Sequence, residues 1–299
     1  MSAGAALSSV WAGGLEDDRL RALLREDAPQ GDLSSRALGL GRQPARITFT
    51  ARGPMVVACI EAAARLLQLC GVVAVPAVGS GDRAVARALL LEGHGPAEGV
   101  LLGWKVAQNL VESASGIAGA AAAIVDRLRA AGLDTPLACT RKAPPGTHWW
   151  AAWAVEAGGA VMHRLGLSET LLVFPEHRAL LAGQDVAARL QALRRQQPEK
   201  RLVVETADPQ EALHLARLGV DVLQLERFSP AALAELRAAL WAESLTTRLA
   251  PAGGVTLDNA LDYARAGADL LVSSAPYFAR PADVKVGITP VPGDGGLSP

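Results

Sequence analysis

From Pro136 to Ser274 the chain alternates short β-like runs with helix-like ones, and this alternation limits the fold more than any other feature. The runs PLACT (136–140), GAVMH (159–163), TLLVF (170–174), RLVVE (201–205), DVLQLE (221–226), RLAPAGG (248–254) and DLLVSS (269–274) are separated mostly by amphipathic stretches such as DPQEALHLARLG and TLDNALDYARAG. Strand, helix and strand in succession require parallel strands joined by helical crossovers. Near-continuous apolar strands are buried on both faces, which fits a barrel or a doubly wound sheet. No strand run is followed by G-x-G-x-x-G, so the dinucleotide-binding sheet lacks its signature. The expected class is α/β, with an incomplete parallel (β/α) barrel of six or seven strands. Local signals agree: Asp208 before Pro209 starts a helix, and Thr256 is read as the cap of a helix that ends at Gly267.

The first hundred residues read differently. A helix in EDDRLRALLRED and a turn at APQGD precede strands near ARITFTA and PMVVACI. A helix EAAARLLQLCG and Gly-rich hairpin material around VGSGDRAVARALLLEGHG follow. This predicts an N-terminal α+β sandwich over 1–107, to which 276–288 (with the strand VKVGI) returns, a β/α barrel over 108–275, and a flexible tail over 289–299. The helix WKVAQNLVESASGIAGAAAAIVDRLRAAG is rich in small residues, which suits close packing at a domain or subunit boundary.

Half of the 299 residues are hydrophobic, enough for a substantial core. A net charge of −1 and a pI near 6.5 give no long-range pull toward nucleic acid or an anionic membrane, so any polyanionic partner is small. Cys59, Cys70 and Cys139 are odd in number, lie in apolar surroundings and make no zinc-type spacing, as in a reduced cytoplasmic protein. The N-terminus lacks a basic start followed by an apolar core, and no apolar run is long enough to span a bilayer, so neither a signal peptide nor a membrane span is expected.

In parallel barrels the functional residues gather at the carboxyl ends of the strands. Those ends carry Arg141 and Lys142, His163 and Arg164, Phe174, Glu205, Glu226, Gly253 and Gly254, then Ser273 and Ser274. Three cations and a histidine beside two carboxylates and two small-residue turns make a site for a phosphorylated, metal-chelated ligand. The glutamates are candidates for Mg²⁺, directly or through water, and the turns for a terminal phosphate. A lone Arg-Lys pair at a strand end is usually a solvated loop, and a lone histidine usually structural. It is their coincidence with the strand-end glutamates that favours a site. His94, His148, His177 and His214 show no ligand-like spacing, and Trp149, Trp150 and Trp153 are read as packing or as a subunit contact.

REDAPQGDLSS, NLVESASGIAG, TRKAPPG, AGGAVMHRLGLSE, PAGGV and ADLLVSSAPY together resemble the quinolinate phosphoribosyltransferase (nicotinate-nucleotide pyrophosphorylase) superfamily, over about residues 15 to 288. LEGHGPAE, WKVAQN, AGGAVMHRLGLSETLLVFPEHR and SSAPYFARPADVKV are closer to its molybdenum-transport-associated branch, called ModD. The resemblance implies a homodimer or higher homo-oligomer in which 5-phosphoribosyl 1-diphosphate and Mg²⁺ meet a heteroaromatic acceptor whose ring nitrogen displaces diphosphate. It also assigns roles. Thr140, Arg141 and Lys142 would hold carboxylate or diphosphate oxygens, and His163 and Arg164 form a second substrate-binding pair. Glu205 and Glu226 stand near Mg²⁺ and the ribose hydroxyls; Gly253, Gly254, Ser273 and Ser274 stand at the 5-phosphate. Lys105 takes a place where the quinolinate enzymes carry an arginine contributed across the dimer interface.

Departures from the pattern bear on the acceptor. A lysine of the quinolinate enzymes is replaced by the stretch Phe174-Pro175-Glu176-His177, which removes one charge-assisted hydrogen bond worth roughly 1.5–3 kcal/mol toward a dicarboxylate. Lys105 gives up the bidentate fork of arginine. The expected reaction is therefore phosphoribosyl transfer to a less anionic ring that stacks on Phe174. The alternatives are a true quinolinate phosphoribosyltransferase and a non-catalytic protein that binds a phosphorylated metabolite.

Overall fold

A computed structural model describes residues 16–291 and divides the chain into two compact units. The first comprises residues up to 122 together with 146–159 and those from 278; the second comprises 123–145 and 160–277. The N-terminal stretch read for a signal peptide lies mostly outside the described residues, as does the tail from 292.

In the first unit, helices α1 (Asp17–Asp27) and α2 (Leu33–Ala37) precede strands β1 (Pro44–Ala51) and β2 (Met55–Val56). Helix α3 (Ile60–Leu69), strands β3 (Val73–Pro76), β4 (Arg83–Ala84) and β5 (Leu89–Pro96), and the long helix α4 (Ala97–Ala130) follow. Strands β3, β5 and β1 and the C-terminal strand Val284–Pro290 form one antiparallel sheet, while β2 and β4 pair separately. Along β1 the alternation sends Ala45, Ile47, Phe49 and Ala51 inward, where α3 adds Leu66 and Leu67 and α1 adds Leu20. The C-terminal strand pairs with β1 through Pro290, opposite Ala45, so residues 289 and 290, expected in a flexible tail, belong to the sheet. Helix α4 starts seven residues before the WKVAQN run, because Pro96 ends β5 and Ala97 can enter a helix at once. It runs past Ala122 into the second unit. Its small residues admit a neighbour: helix α5 (His148–Ala157) ends at Gly158, where an added Cβ would stand 2.5 Å from the Ala118 carbonyl oxygen. The indole of Trp153 is buried on α5.

The second unit carries seven strands: β6 (Leu137–Cys139), β7 (Val161–Met162), β8 (Leu171–Val173), β9 (Leu202–Thr206), β10 (Val222–Glu226), β11 (Arg248–Ala252) and β12 (Leu271–Ser273). Every ladder among them is parallel, in the orders β11-β10-β9-β8 and β12-β6-β7. The Asp269 N–H donates to the Leu249 carbonyl at 2.9 Å and ties the two groups where β12 approaches β11. No ladder among the described residues joins β7 to β8, so the barrel is incomplete there. Helices α6 (Pro175–Ala179), α7 (Val186–Gln196), α8 (Pro209–Arg217), α9 (Pro230–Ala242) and α10 (Ala260–Arg265) make the crossovers. Asp185, Asp208 and Ser229 cap α7, α8 and α9 by accepting from backbone N–H groups of the first turn. Thr256 does not cap α10. Its own N–H donates to Asn259 Oδ1 at 2.8 Å, a local turn that delays the helix to Ala260. Inside the barrel, Leu172, Val203, Val222, Ala250, Ala252 and Val272 form an apolar floor, with Phe174 and Leu270 against it. No helix among the described residues is long and apolar enough to cross a membrane.

Candidate active site

The floor fixes which side chains of each strand point inward, since successive residues of a strand face opposite sides. On β10, Val222 lies in the floor, so Gln224 and Glu226 share its face; on β9, Val203 puts Glu205 there; and beyond β8, Leu172 puts Phe174 there. Register sets the heights. Gln224 lies beside Glu205 on one side and Ala250 on the other, Glu226 lies one level higher beside Ala252, and the Leu172–Val203 pair brings Phe174 to the level of Glu205.

Glu205 is half-buried, and burial raises its carboxyl above the ordinary value; the donated hydrogen bond of Gln224 opposes that, Glu226 and Glu176 add to it, and Lys142 pulls the other way. Its backbone carbonyl accepts from Arg178 Nη1 at 2.8 Å, and Arg178 also pairs with Glu211 at 3.0 Å. Glu226 is crowded by the turn after β11. Gly253 has φ +74, and an added Cβ would stand 2.6 Å from Glu226 Oε2; Gly254 has φ +125. Only glycine supplies both the left-handed backbone and the missing side chain at Gly253. Arg227 also has a positive φ of 56, its N–H donates to the Ala252 carbonyl at 2.9 Å, and its Nε stays 3.7 Å from Glu226.

The cations gather on the other strands. Arg141 and Lys142 are exposed after β6, where the Thr140 N–H donates to the Ser273 carbonyl at 3.0 Å and the Thr140 carbonyl accepts from the Tyr277 hydroxyl at 2.6 Å. The Lys142 N–H reaches Thr140 Oγ1 at 3.3 Å. The His163 N–H donates to the Cys139 carbonyl at 2.8 Å, and burial, followed by the Arg164 charge, lowers the imidazole below its ordinary value against a weaker pull from Glu169. Arg164 is 5 % exposed as a residue, but its guanidinium nitrogens are not among the buried polar atoms left without a partner: they lack an ion-pair partner among the described residues and keep contact with solvent. Burial and the nearby Arg141 charge both disfavour its protonated form. The guanidinium lies 5.6 Å from the centre of the Phe174 ring, whose other ring neighbour is His177 at 5.7 Å and 21°. Phe174 thus already has a cation and an imidazole ring against it where an acceptor ring is expected to stack.

One further expectation changes. The Ser273 hydroxyl is buried and committed, donating to the Val255 carbonyl at 2.6 Å and accepting from the Ala275 N–H at 3.0 Å. It ties the turn after β11 to the end of β12, and Ser274, two residues beyond Val272, follows on the floor side. Lys105, expected to act across a dimer interface, belongs to the first unit, where its ammonium lies 4.0 Å over the Trp104 ring and bonds Gln108 Oε1 at 2.9 Å. Gln224, Arg178 and Tyr277 escaped sequence reading, as did the place of Glu176 near Glu205. For Gln224 a signal existed, a polar residue at the Glu226 parity of an apolar run, whereas Tyr277 gave none. Cys59 and Cys139 are core residues and Cys70 is partly buried: burial pushes the Cys139 thiol up to about 12 and that of Cys70 to about 11.

Among the described residues no cluster of three or more His, Cys, Asp or Glu is placed to hold a metal; Glu205 and Glu226 are a pair. That fits Mg²⁺, which keeps several waters and binds through one or two carboxylates plus substrate phosphates.

Models of the quinolinate phosphoribosyl transferase N-terminal and C-terminal domains match residues 32–115 and 117–287. A Rhodobacter capsulatus protein named as a pyrophosphorylase ModD is 46% identical over 85% of this chain and 97% of its own. The human carboxylating nicotinate-nucleotide pyrophosphorylase is 31% identical over 87% of this chain and 86% of its own. The crystal structure of NadC from Streptococcus pyogenes superposes with a TM-score of 0.82 at 27% identity, covering 92% of this chain and 97% of that one.

Proposed function

This chain belongs to the quinolinate phosphoribosyltransferase family, and from that premise we propose that it joins the ribosyl phosphate of 5-phosphoribosyl 1-diphosphate to a ring nitrogen of a heteroaromatic acceptor other than quinolinate. The observation that carries the reading is Arg164, a largely buried residue whose guanidinium has no anionic partner among the described residues and is set beside Arg141. Two neighbouring cations with no ion-pair partner among the described residues favour a ligand that brings negative charge. The acceptor departs from quinolinate because the inward position beyond β8 is Phe174, which offers no charge to a second carboxylate. The ModD-like motifs extend the reading to molybdenum handling.

In this reaction the bond from the anomeric carbon to diphosphate breaks as the ring nitrogen forms its own, through an oxocarbenium-like state that needs positioning and charge neutralisation. Arg141, Lys142 and Arg164 take the diphosphate and acceptor oxygens. His163, kept neutral by burial, binds and does not shuttle protons. Glu205 and Glu226 face the ribose hydroxyls and would hold Mg²⁺, which when bound neutralises charge on the leaving diphosphate. Gly253, Gly254 and Ser274 offer a small-residue turn to the 5-phosphate. The enzyme works as a homodimer or higher homo-oligomer in the cytoplasm.

The test is diphosphate release from 5-phosphoribosyl 1-diphosphate with Mg²⁺ against pyridine, pyrimidine and other heteroaromatic acceptors, quinolinate included. Release with a non-quinolinate acceptor is expected, and Arg141→Ala and Glu226→Ala should abolish it while the melting curve stays. Turnover of quinolinate alone, giving nicotinate mononucleotide, would move the protein to the quinolinate enzymes. Unchanged rates in both variants would sink the site assignment.

A further inference from the structure

Gln224 is an amide inside an otherwise apolar strand run, 6 % exposed and on the inward face of β10. Its Nε2 donates to Glu205 Oε2 on the neighbouring strand, a contact set by the register that places the two residues side by side. Its Oε1 is buried and has no hydrogen-bond partner among the described residues. A buried acceptor left unpaired is a cost that an apolar side chain of the same length would not incur. Val222 below and Ala250 beside it already supply an apolar setting. What glutamine contributes here, and a methionine would not, is therefore the bond to Glu205.

That bond matters because of what else surrounds the carboxylate. Glu205 has the charges of Glu226 and Glu176 near it, with Lys142 opposing them, and its backbone carbonyl is held by Arg178. These contacts fix the strand end and bias the charge, but Arg178 does not touch the carboxylate. With three rotatable bonds, a glutamate beside two like charges turns away from them unless one oxygen is tethered. Tethering Oε2 to Gln224 leaves Oε1 as the oxygen that the ligand meets.

We infer that Gln224 is a positioning residue, one that holds the Glu205 carboxylate in the orientation from which it contacts the ligand. The inference rests on the reading of the site as a phosphoribosyl-transfer centre, and two experiments separate the failure of one from the failure of the other. The first needs no turnover. In the full-length protein with 15N-labelled glutamine, the Gln224 side-chain amide should show a shifted, slowly exchanging proton that Glu205→Ala abolishes. A fast-exchanging amide unaffected by Glu205→Ala would overturn the inference whatever the enzyme does.

The second compares kinetics of wild type and Gln224→Met, a substitution that keeps volume and removes the donor. With the melting temperature unchanged or raised, kcat/KM for 5-phosphoribosyl 1-diphosphate should fall about ten- to hundredfold, the range set by one hydrogen bond to a charged group, while the acceptor KM stays. Equal kinetics would overturn the inference even if wild type is an active transferase. Should Gln224→Met fail to fold, Gln224→Asn is the second variant: its shorter amide keeps the polarity, loses the reach to Glu205, and should show the same split. If wild type neither binds nor turns over 5-phosphoribosyl 1-diphosphate, the functional reading fails, and the amide experiment still decides whether Gln224 holds Glu205.

Discussion

Replacing Arg164 by methionine should make the ligand-free protein more stable and the ligand-binding protein worse. The residue is 5 % exposed, its guanidinium nitrogens are not sealed from solvent, it has no anionic partner among the described residues, and it feels the positive charge of Arg141. A charge held only partly out of water beside a like charge costs about 2–3 kcal/mol, less than a fully buried ion. The Phe174 ring at 5.6 Å returns only about 1–2 kcal/mol of that through its cation–π attraction. Methionine keeps most of the apolar stem and drops the charge, so Arg164→Met should gain about 1–2 kcal/mol, the margin left when packing losses are allowed for. For a domain of this size that is a rise of about 2–8 °C in melting temperature. The other half of the prediction is binding. Losing charge-assisted hydrogen bonds to phosphate or carboxylate oxygens should weaken 5-phosphoribosyl 1-diphosphate about ten- to hundredfold by calorimetry. Scanning calorimetry in a buffer free of phosphate and sulfate isolates the first half, because any anion that binds wild type raises its stability by mass action. A melting temperature that falls in Arg164→Met would show that the guanidinium is satisfied without ligand, and would remove the observation on which the functional reading stands.

Gly253→Ala places a Cβ 2.6 Å from Glu226 Oε2 at φ +74, a backbone region that costs alanine about 1–2 kcal/mol, so turnover should collapse while stability drops only by that amount; activity near wild type would show that the turn relaxes freely. His163 sits below its ordinary value of 6.5 because of burial and then Arg164, so the folded state resists the proton that the unfolded chain accepts. Stability from this group is present above about pH 6.5 and is lost as pH falls through that value, whereas the raised carboxyl of Glu205 has the opposite sign, its penalty growing as pH rises through its own higher value. Melting temperatures from pH 7.5 to 5.5 should therefore fall less steeply in His163→Asn than in wild type, and parallel curves would clear His163 of this role. Ser273→Ala should cost about 1–3 kcal/mol by leaving the Val255 carbonyl unpaired, while Ser274→Ala should leave stability alone and raise the KM for 5-phosphoribosyl 1-diphosphate; the reverse pattern would mean that the two serines have been assigned the wrong faces.

All seven strands of the barrel appear in the sequence as apolar runs, and for a physical reason: a strand buried on both faces cannot hide a polar majority, so its composition announces it. The long helix α4 and the cap at Asp208 were legible for similarly local reasons. Helix α10 was misplaced because its start depends on a side chain, Asn259, capturing the Thr256 N–H, a choice that propensity does not reveal. The strand-end residues could be enumerated, but not their partners. Whether Arg164 has a carboxylate, whether Ser273 is free, and whether Phe174 has an open face all depend on which residues lie across a register or a loop, and a register is set by the whole sheet.

The alternation that hides the floor also sorts the polar residues by what they do. Those on the face of Leu172, Val203, Val222 and Val272 are Glu205, Gln224, Glu226 and Ser274, and the Glu205 carboxylate among them is imperfectly compensated by the protein. Those on the opposite face find protein partners: Thr206 donates to Glu211 and Ser273 to the Val255 carbonyl. Structural polar groups are expected to be satisfied in the absence of ligand, because an unsatisfied one subtracts from a small net stability. Functional ones can remain unsatisfied, because the ligand completes them. Gln224 joins the two classes, with one end of its amide bonded to protein and the other end unpaired, at the level where the apolar floor gives way to the carboxylates.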